Sequence, residues 1–197
     1  MARSGSVTRS RLVRTTRQLI EDRGIARVTT KQIARAAGGA EETIFRHFPR
    51  KEDLLLAAVF VDVPAFQESL AIVSGETPRG RLRRLCLNVI RFFEQITPAA
   101  VAVLSDAELT RRHREVVRGR NGGSQRLYAA VAEFIETEQA RGGLRSDLSP
   151  AQVASALVGP CFFWVFTRLS LGKNALRMTD RQFVAGVLDV LWDGLHP

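Results

Sequence analysis

Thr29-Thr30-Lys31-Gln32-Ile33-Ala34-Arg35-Ala36-Ala37-Gly38-Gly39-Ala40-Glu41-Glu42-Thr43-Ile44-Phe45-Arg46-His47-Phe48 is the stretch whose reading decides the fold. Thr29 followed three residues later by Gln32 has the spacing of a capping box, which predicts a helix start there. Ile33, Ala34 and Ala37 then share one face and are expected to pack inward. Gly38-Gly39 stops this helix, because glycine takes left-handed backbone angles that other residues resist. In the second helix, Ile44 and Phe48 lie one turn apart and point to the core. Thr43, Arg46 and His47 are left outside.

A short exposed helix held at an angle to its partner by a glycine turn is the geometry with which a helix-turn-helix enters the major groove. On its N-terminal side, Leu12, Thr16, Leu19 and Ile20 are spaced as the buried stripe of an amphipathic helix ending at Gly24. On its C-terminal side, Phe48-Pro49-Arg50-Lys51-Glu52-Asp53 closes one helix and opens another, with Glu52 and Asp53 suited to a first turn.

Charge follows the motif. Residues 1–50 hold eleven Lys or Arg against four Asp or Glu, a net of +7, while residues 51–197 hold eighteen against sixteen, a net of +2. Most of the total charge of +9 therefore sits on the quarter of the chain that carries the motif, as counterion release from a phosphate backbone would exploit. Arg9, Arg11, Arg14 and Arg17 crowd the first turns of helix one, where cations oppose the helix dipole. They are therefore not there for helix stability, and phosphate contact accounts for them better than solvation does.

With these flanks the segment from about Arg11 to Leu56 resembles the DNA-binding domain of the TetR family of bacterial transcriptional regulators. The resemblance rests on the Gly24 stop, the Thr-Thr-Lys-Gln-Ile-Ala start, the Ala-Ala-Gly turn and the run Thr43-Ile44-Phe45-Arg46-His47-Phe48 leading to Lys51. It implies an all-α protein: an N-terminal three-helix helix-turn-helix domain followed by a larger helical domain for ligand binding and dimerisation. The expected division is a disordered basic arm at 1–7, the DNA-binding domain at 8–53 and the effector and dimerisation domain at 54–197.

The resemblance also places Lys31, Thr43, Phe45, Arg46 and His47 at positions that reach the operator. Thr30 beside Lys31 either bonds a phosphate or caps the helix. Arg46 suits guanine O6 and N7 or a phosphate, and both remain open. His47 reads as a phosphate donor rather than a metal ligand, since no carboxylate or Cys completes a ligand spacing. Glu41 and Glu42 either accept from cytosine N4, discourage non-specific binding or favour the helix dipole. Lys51 at a helix N-terminus can join free amides in holding a phosphate.

Three residues depart from the family pattern. Phe45 stands where a tyrosine is common and so lacks the hydroxyl that would bond a phosphate. Ala40 replaces a capping serine or threonine, and Gly39 replaces an apolar residue of the turn.

Beyond Lys51 the pattern is helical throughout. A long helix is expected from Lys51 to Ile72, then segments at about 79–96, 98–109, 111–119, 123–141, 150–171 and 179–195. The cluster Arg111-Arg112-His113-Arg114 reads as a solvated helix face. Gly159-Pro160 implies a kink, and Cys161 an inert buried thiol. The large aromatics at helical spacing, such as Phe92, Phe134 and Trp164, read mostly as core. In the family the last two helices pair with a second subunit, so homodimerisation is expected through 150–171 and 179–195. A small, mostly apolar effector is expected to bind near the connecting helix and spread the two DNA-binding domains. The alternative is a constitutive dimer whose second domain is a packed interaction core.

No phosphate-loop, dinucleotide, zinc-protease or nucleophile-elbow motif is present, so no enzyme, catalytic residue, cofactor or metal is expected. The longest uncharged run, Leu148 to Thr167, carries Ser149, Pro150, Gln152, Ser155 and Pro160. It reads as a buried helix rather than the roughly 20 predominantly apolar residues of a membrane span. Without a signal-peptide core or a cysteine framework, the expected compartment is the cytoplasm, with no membrane partner.

Overall fold

The computed structural model describes residues 8–60, 75–120, 124–172 and 175–196. Among them there are nine α-helices and no strand: α1 (Arg9–Arg23), α2 (Thr30–Ala37), α3 (Glu41–His47), α4 (Lys51–Phe60), α5 (Pro78–Leu104), α6 (Ala107–Arg120), α7 (Ser124–Ala140), α8 (Pro150–Leu171) and α9 (Asp180–Leu195). The expected basic arm and the expected extension of the connecting helix to Ile72 lie outside the described residues.

The chain forms two compact units, the first comprising Met1–Asp62 with Pro98–Gly122 and the second Val63–Thr97 with Gly123–Pro197. The first unit therefore runs past the expected boundary at Asp53 and takes in α6. The reason is burial: Leu54, Leu55, Leu56, Ala57, Ala58 and Val59 are all in its core, because α4 packs against both α1 and α6. On α1 the buried residues are Leu12, Val13, Thr16 and Ile20. Leu19 is only half-buried and packs at the margin of the core.

In the second unit, Leu82, Leu85, Cys86, Val89, Ile90 and Phe93 of α5 meet the apolar faces of α7, α8 and α9. Cys161 Sγ donates to the Cys86 carbonyl at 3.7 Å. The neighbouring Cys86, reinforced by burial, pushes the Cys161 thiol up, so it stays protonated and inert as expected. Trp164 donates its indole N–H to Asp180 at 2.8 Å and stacks on Phe183, which ties the start of α9 to α8.

Two expectations change. Pro98 does not separate two helices: α5 runs through it, since a proline removes one helix bond while apolar residues on both sides, Phe93 and Val103, stay buried in their cores. The helix expected over 150–171 is continuous through Pro160, as α8. Fewer aromatics are core than expected: Phe93, Phe134 and Trp164 are buried, but Tyr128, Phe162, Phe163 and Phe166 are exposed.

Both α5 and α8 are long and apolar enough to cross a membrane by length and composition. In α8 one face, including Leu157, Val158, Trp164 and Val165, is buried within the unit. The apolar remainder faces outward.

Candidate nucleic-acid interface

The two helices of the motif are built by local hydrogen bonds. Gln32 N donates to Thr29 Oγ1 at 3.3 Å, and Thr29 N donates to Gln32 Oε1 at 2.9 Å, completing the capping box. Capping thus belongs to Thr29, and Thr30 is the first helical residue, half-buried beside the exposed Lys31. At the other end Gly38 is left-handed, with φ 71° and ψ 35°. Gly39 N donates to Ala34 O at 2.9 Å and Gly38 N to Arg35 O at 3.2 Å, the paired bonds of a Schellman motif. That motif is commonly completed by an apolar side chain at the position Gly39 occupies, and glycine has none to offer.

Ala40 begins α3 without a side-chain cap, while Glu41 and Glu42 occupy its first turn and Arg46 and His47 its last. This polarity suits the helix dipole at both ends. Ile44 and Phe48 are buried as expected and anchor the helix by one side. Phe45 is 48% exposed, and Glu42 and Arg46 are exposed with it. Glu41, Thr43 and His47 are half-buried, as is Lys51 at the start of α4. The exposed side of α3 therefore carries Glu42, Phe45 and Arg46.

The α1 arginines do not act alike. Arg17 Nε donates to Ala58 O at 2.9 Å, so this side chain straps α1 to α4. The guanidinium of Arg9 lies 4.7 Å from the centre of the Phe48 ring, bracing the end of the recognition helix. The Arg11 guanidinium lies beside Gly38, 3.3 Å from where a Cβ would stand. Arg14 is exposed.

The cluster at Arg111 to Arg114 is a solvated face only in part: Arg111 and Arg114 are exposed, while Arg112 and His113 are half-buried. Arg111 pairs with Glu108 and Glu115. Arg112 reaches back to α4, bonding Asp53 through Nε at 2.7 Å and through Nη2 at 3.1 Å, and also Glu115 at 2.8 Å. The Arg112 hydrogen bond draws the Glu115 carboxyl below its ordinary range. His113 stacks on Phe60 with ring centres 4.3 Å apart, and burial lowers its pKa from 6.5. The pairs of Arg111 and Arg112 with Glu108 and Glu115 follow helical spacing, but no local pattern announces the Asp53–Arg112 pair, which is brought together only by the packing of α4 on α6. Among the described residues no group of three or more His, Cys, Asp or Glu is arranged to hold a metal ion.

Residues 12–58 match the family model described as bacterial regulatory proteins, tetR family. The chain is 27% identical over 157 residues to the HTH-type transcriptional regulator EthR of Mycobacterium tuberculosis, covering 78% of this chain and 72% of that one. A TetR-family transcriptional regulator from Mesorhizobium loti superposes with a TM-score of 0.77 at 17% identity, covering all of both chains. Thermus thermophilus FadR, a TetR-family repressor solved with lauroyl-CoA, superposes at 0.64 with 21% identity over 95% of this chain and 94% of its own. These structures share the fold. With the helix-turn-helix built as described and the family model lying across it, residues 12–58 form a DNA-binding domain of the tetR family of bacterial regulatory proteins.

Proposed function

We propose that the chain is a TetR-family transcriptional regulator, a homodimeric repressor that binds a pseudo-palindromic operator in the cytoplasm and is released from it by a small, mostly apolar effector. The observation that carries the DNA reading is the recognition helix itself. Ile44 and Phe48 are buried on one side, while Phe45 and Arg46 stand free on the other. Arg46 contacts a base edge or a phosphate. Thr30, Lys31, His47 and Lys51 contact phosphates, and Thr43 and Phe45 contact the backbone. Glu41 and Glu42 sharpen selectivity by repelling phosphates that approach out of register.

Dimerisation through α8 and α9 is supported by their outward apolar faces. Phe163 is 67% exposed and Val190 83%, and nothing stands within 4 Å of a Cβ built at Gly159 or Gly186. Apolar groups of this size beside open glycines suit close helix pairing with a second copy. The effector reading is supported by the acyl-CoA seen on the related FadR fold and by the largely apolar second unit.

The test is mobility shift of the purified chain on DNA flanking its own gene, at several salt concentrations. Arg46→Ala and Lys51→Ala are expected to abolish a specific shift with helicity intact. Unchanged binding in both would remove these residues from the interface. A shift that no apolar ligand alters would make the protein a constitutive DNA-binding dimer.

A further inference from the structure

Two demands meet at the start of α4. Its first turn carries Glu52 and Asp53, which suit the positive end of the helix dipole. The same turn carries Lys51, and if it is to receive a DNA phosphate its field must be positive. An unpaired carboxylate two residues from Lys51 would oppose that phosphate.

Arg112 sits where it resolves the conflict. Its guanidinium takes both oxygens of Asp53, at 2.7 and 3.1 Å, in the forked geometry that arginine makes with a carboxylate. The Arg112 side chain is 24% exposed and that of Asp53 12%, so salt screens the pair less than it screens a surface pair. Its third nitrogen bonds Glu115, which Arg111 also holds. The carboxylates of Asp53, Glu108 and Glu115 are thus each matched by an arginine. Arg111 and Arg112 are committed to acids within their own unit rather than offered to DNA.

We propose that Arg112 is a positioning residue for DNA binding, which holds and neutralises Asp53 so that the N-terminus of α4, with Lys51, stays open to a DNA phosphate. This rests on the reading of Lys51 as a phosphate contact. It differs from a simple strap between α4 and α6 in one consequence. If charge is what matters, removing both partners together restores binding, whereas a strap is lost whichever partner goes.

The experiment measures binding of the full chain to a mixed-sequence DNA duplex between about 50 and 200 mM salt, where phosphate contacts dominate. Arg112→Gln is expected to bind about three- to fivefold more weakly at the low-salt end, a gap of the size an unpaired charge at this range produces. The gap should close towards high salt. Arg112→Lys, Asp53→Asn and the double variant Asp53→Asn/Arg112→Gln should bind as wild type or tighter. Equal, salt-independent losses in Arg112→Gln, Asp53→Asn and the double variant would overturn the proposal and leave a strap. If circular dichroism shows Arg112→Gln to be unfolded, Asp53→Asn decides alone: retained or tighter binding supports the proposal and weaker binding overturns it. Lys51→Ala or wild-type protein separates the two readings. Unchanged binding in the former, or none in the latter, overturns the phosphate contact and this inference with it.

Discussion

Arg81 and Glu138 face each other inside the second unit, joined by Nε to Oε1 at 2.8 Å and Nη2 to Oε2 at 2.5 Å, with the Glu138 side chain wholly buried. Arg81 also donates to the Glu76 carbonyl, and Gly143 comes so close that a Cβ there would stand 3.1 Å from Glu138. The pair thus joins the start of α5 to the end of α7 and the turn that follows. Glu138→Leu strands a buried guanidinium and is expected to destabilise the chain by about 3–5 kcal/mol. Arg81→Met/Glu138→Leu should recover most of that loss. Urea unfolding of the three proteins checks both, and a double variant as unstable as the single one would show that the pair itself stabilises the fold.

The recognition helix begins on Ala40 with no side-chain cap. Ala40→Ser supplies the missing acceptor and should raise stability by about 1 kcal/mol. Phe45→Tyr, at a half-exposed ring, adds a phosphate donor without disturbing the anchors Ile44 and Phe48. It should tighten DNA binding by about 1 kcal/mol, roughly fivefold. Thermal unfolding reads the first and mobility shift the second. Weaker binding by the tyrosine variant would mean that the ring, not a missing hydroxyl, makes the contact.

Phe163 projects from the outward face of α8, away from the buried face carrying Trp164 and Val165. Phe163→Glu is expected to leave helicity unchanged and convert a dimer to a monomer, because a carboxylate in an apolar interface must lose its hydration. Sedimentation equilibrium measures this. A dimer that persists would move the interface off this face.

His113, stacked on Phe60, has a pKa below its ordinary 6.5 because burial disfavours its charged form. Below the unfolded value the unfolded chain binds a proton that the folded one resists. Stability should therefore fall as pH drops from about 6.5 through the folded value. His113→Phe keeps the stack and removes the proton. Its stability should be flatter than wild type over pH 5 to 7, and parallel curves would assign the slope to other groups.

The helix-turn-helix was legible because its instructions are local. The Thr29 and Gln32 box, the Gly38 stop and the one-turn spacing of Ile44 and Phe48 act within five residues, so periodicity and capping chemistry were sufficient to identify them. The absence of a cap at Ala40 was equally visible. The expected break at Pro98 failed for the opposite reason. A proline's local cost is small beside the burial that a continuous α5 maintains on either side of it.

By itself, then, the sequence determined an all-α chain, a basic N-terminal motif and two strongly apolar final helices. These follow from bonds between near neighbours and from net composition. Tertiary structure alone decided that Arg17 belongs to Ala58 and Arg112 to Asp53, and which apolar face of α8 is covered. A side chain's partner depends on which helices pack together, and an arginine in the sequence looks the same whether it awaits a phosphate or already holds a carboxylate.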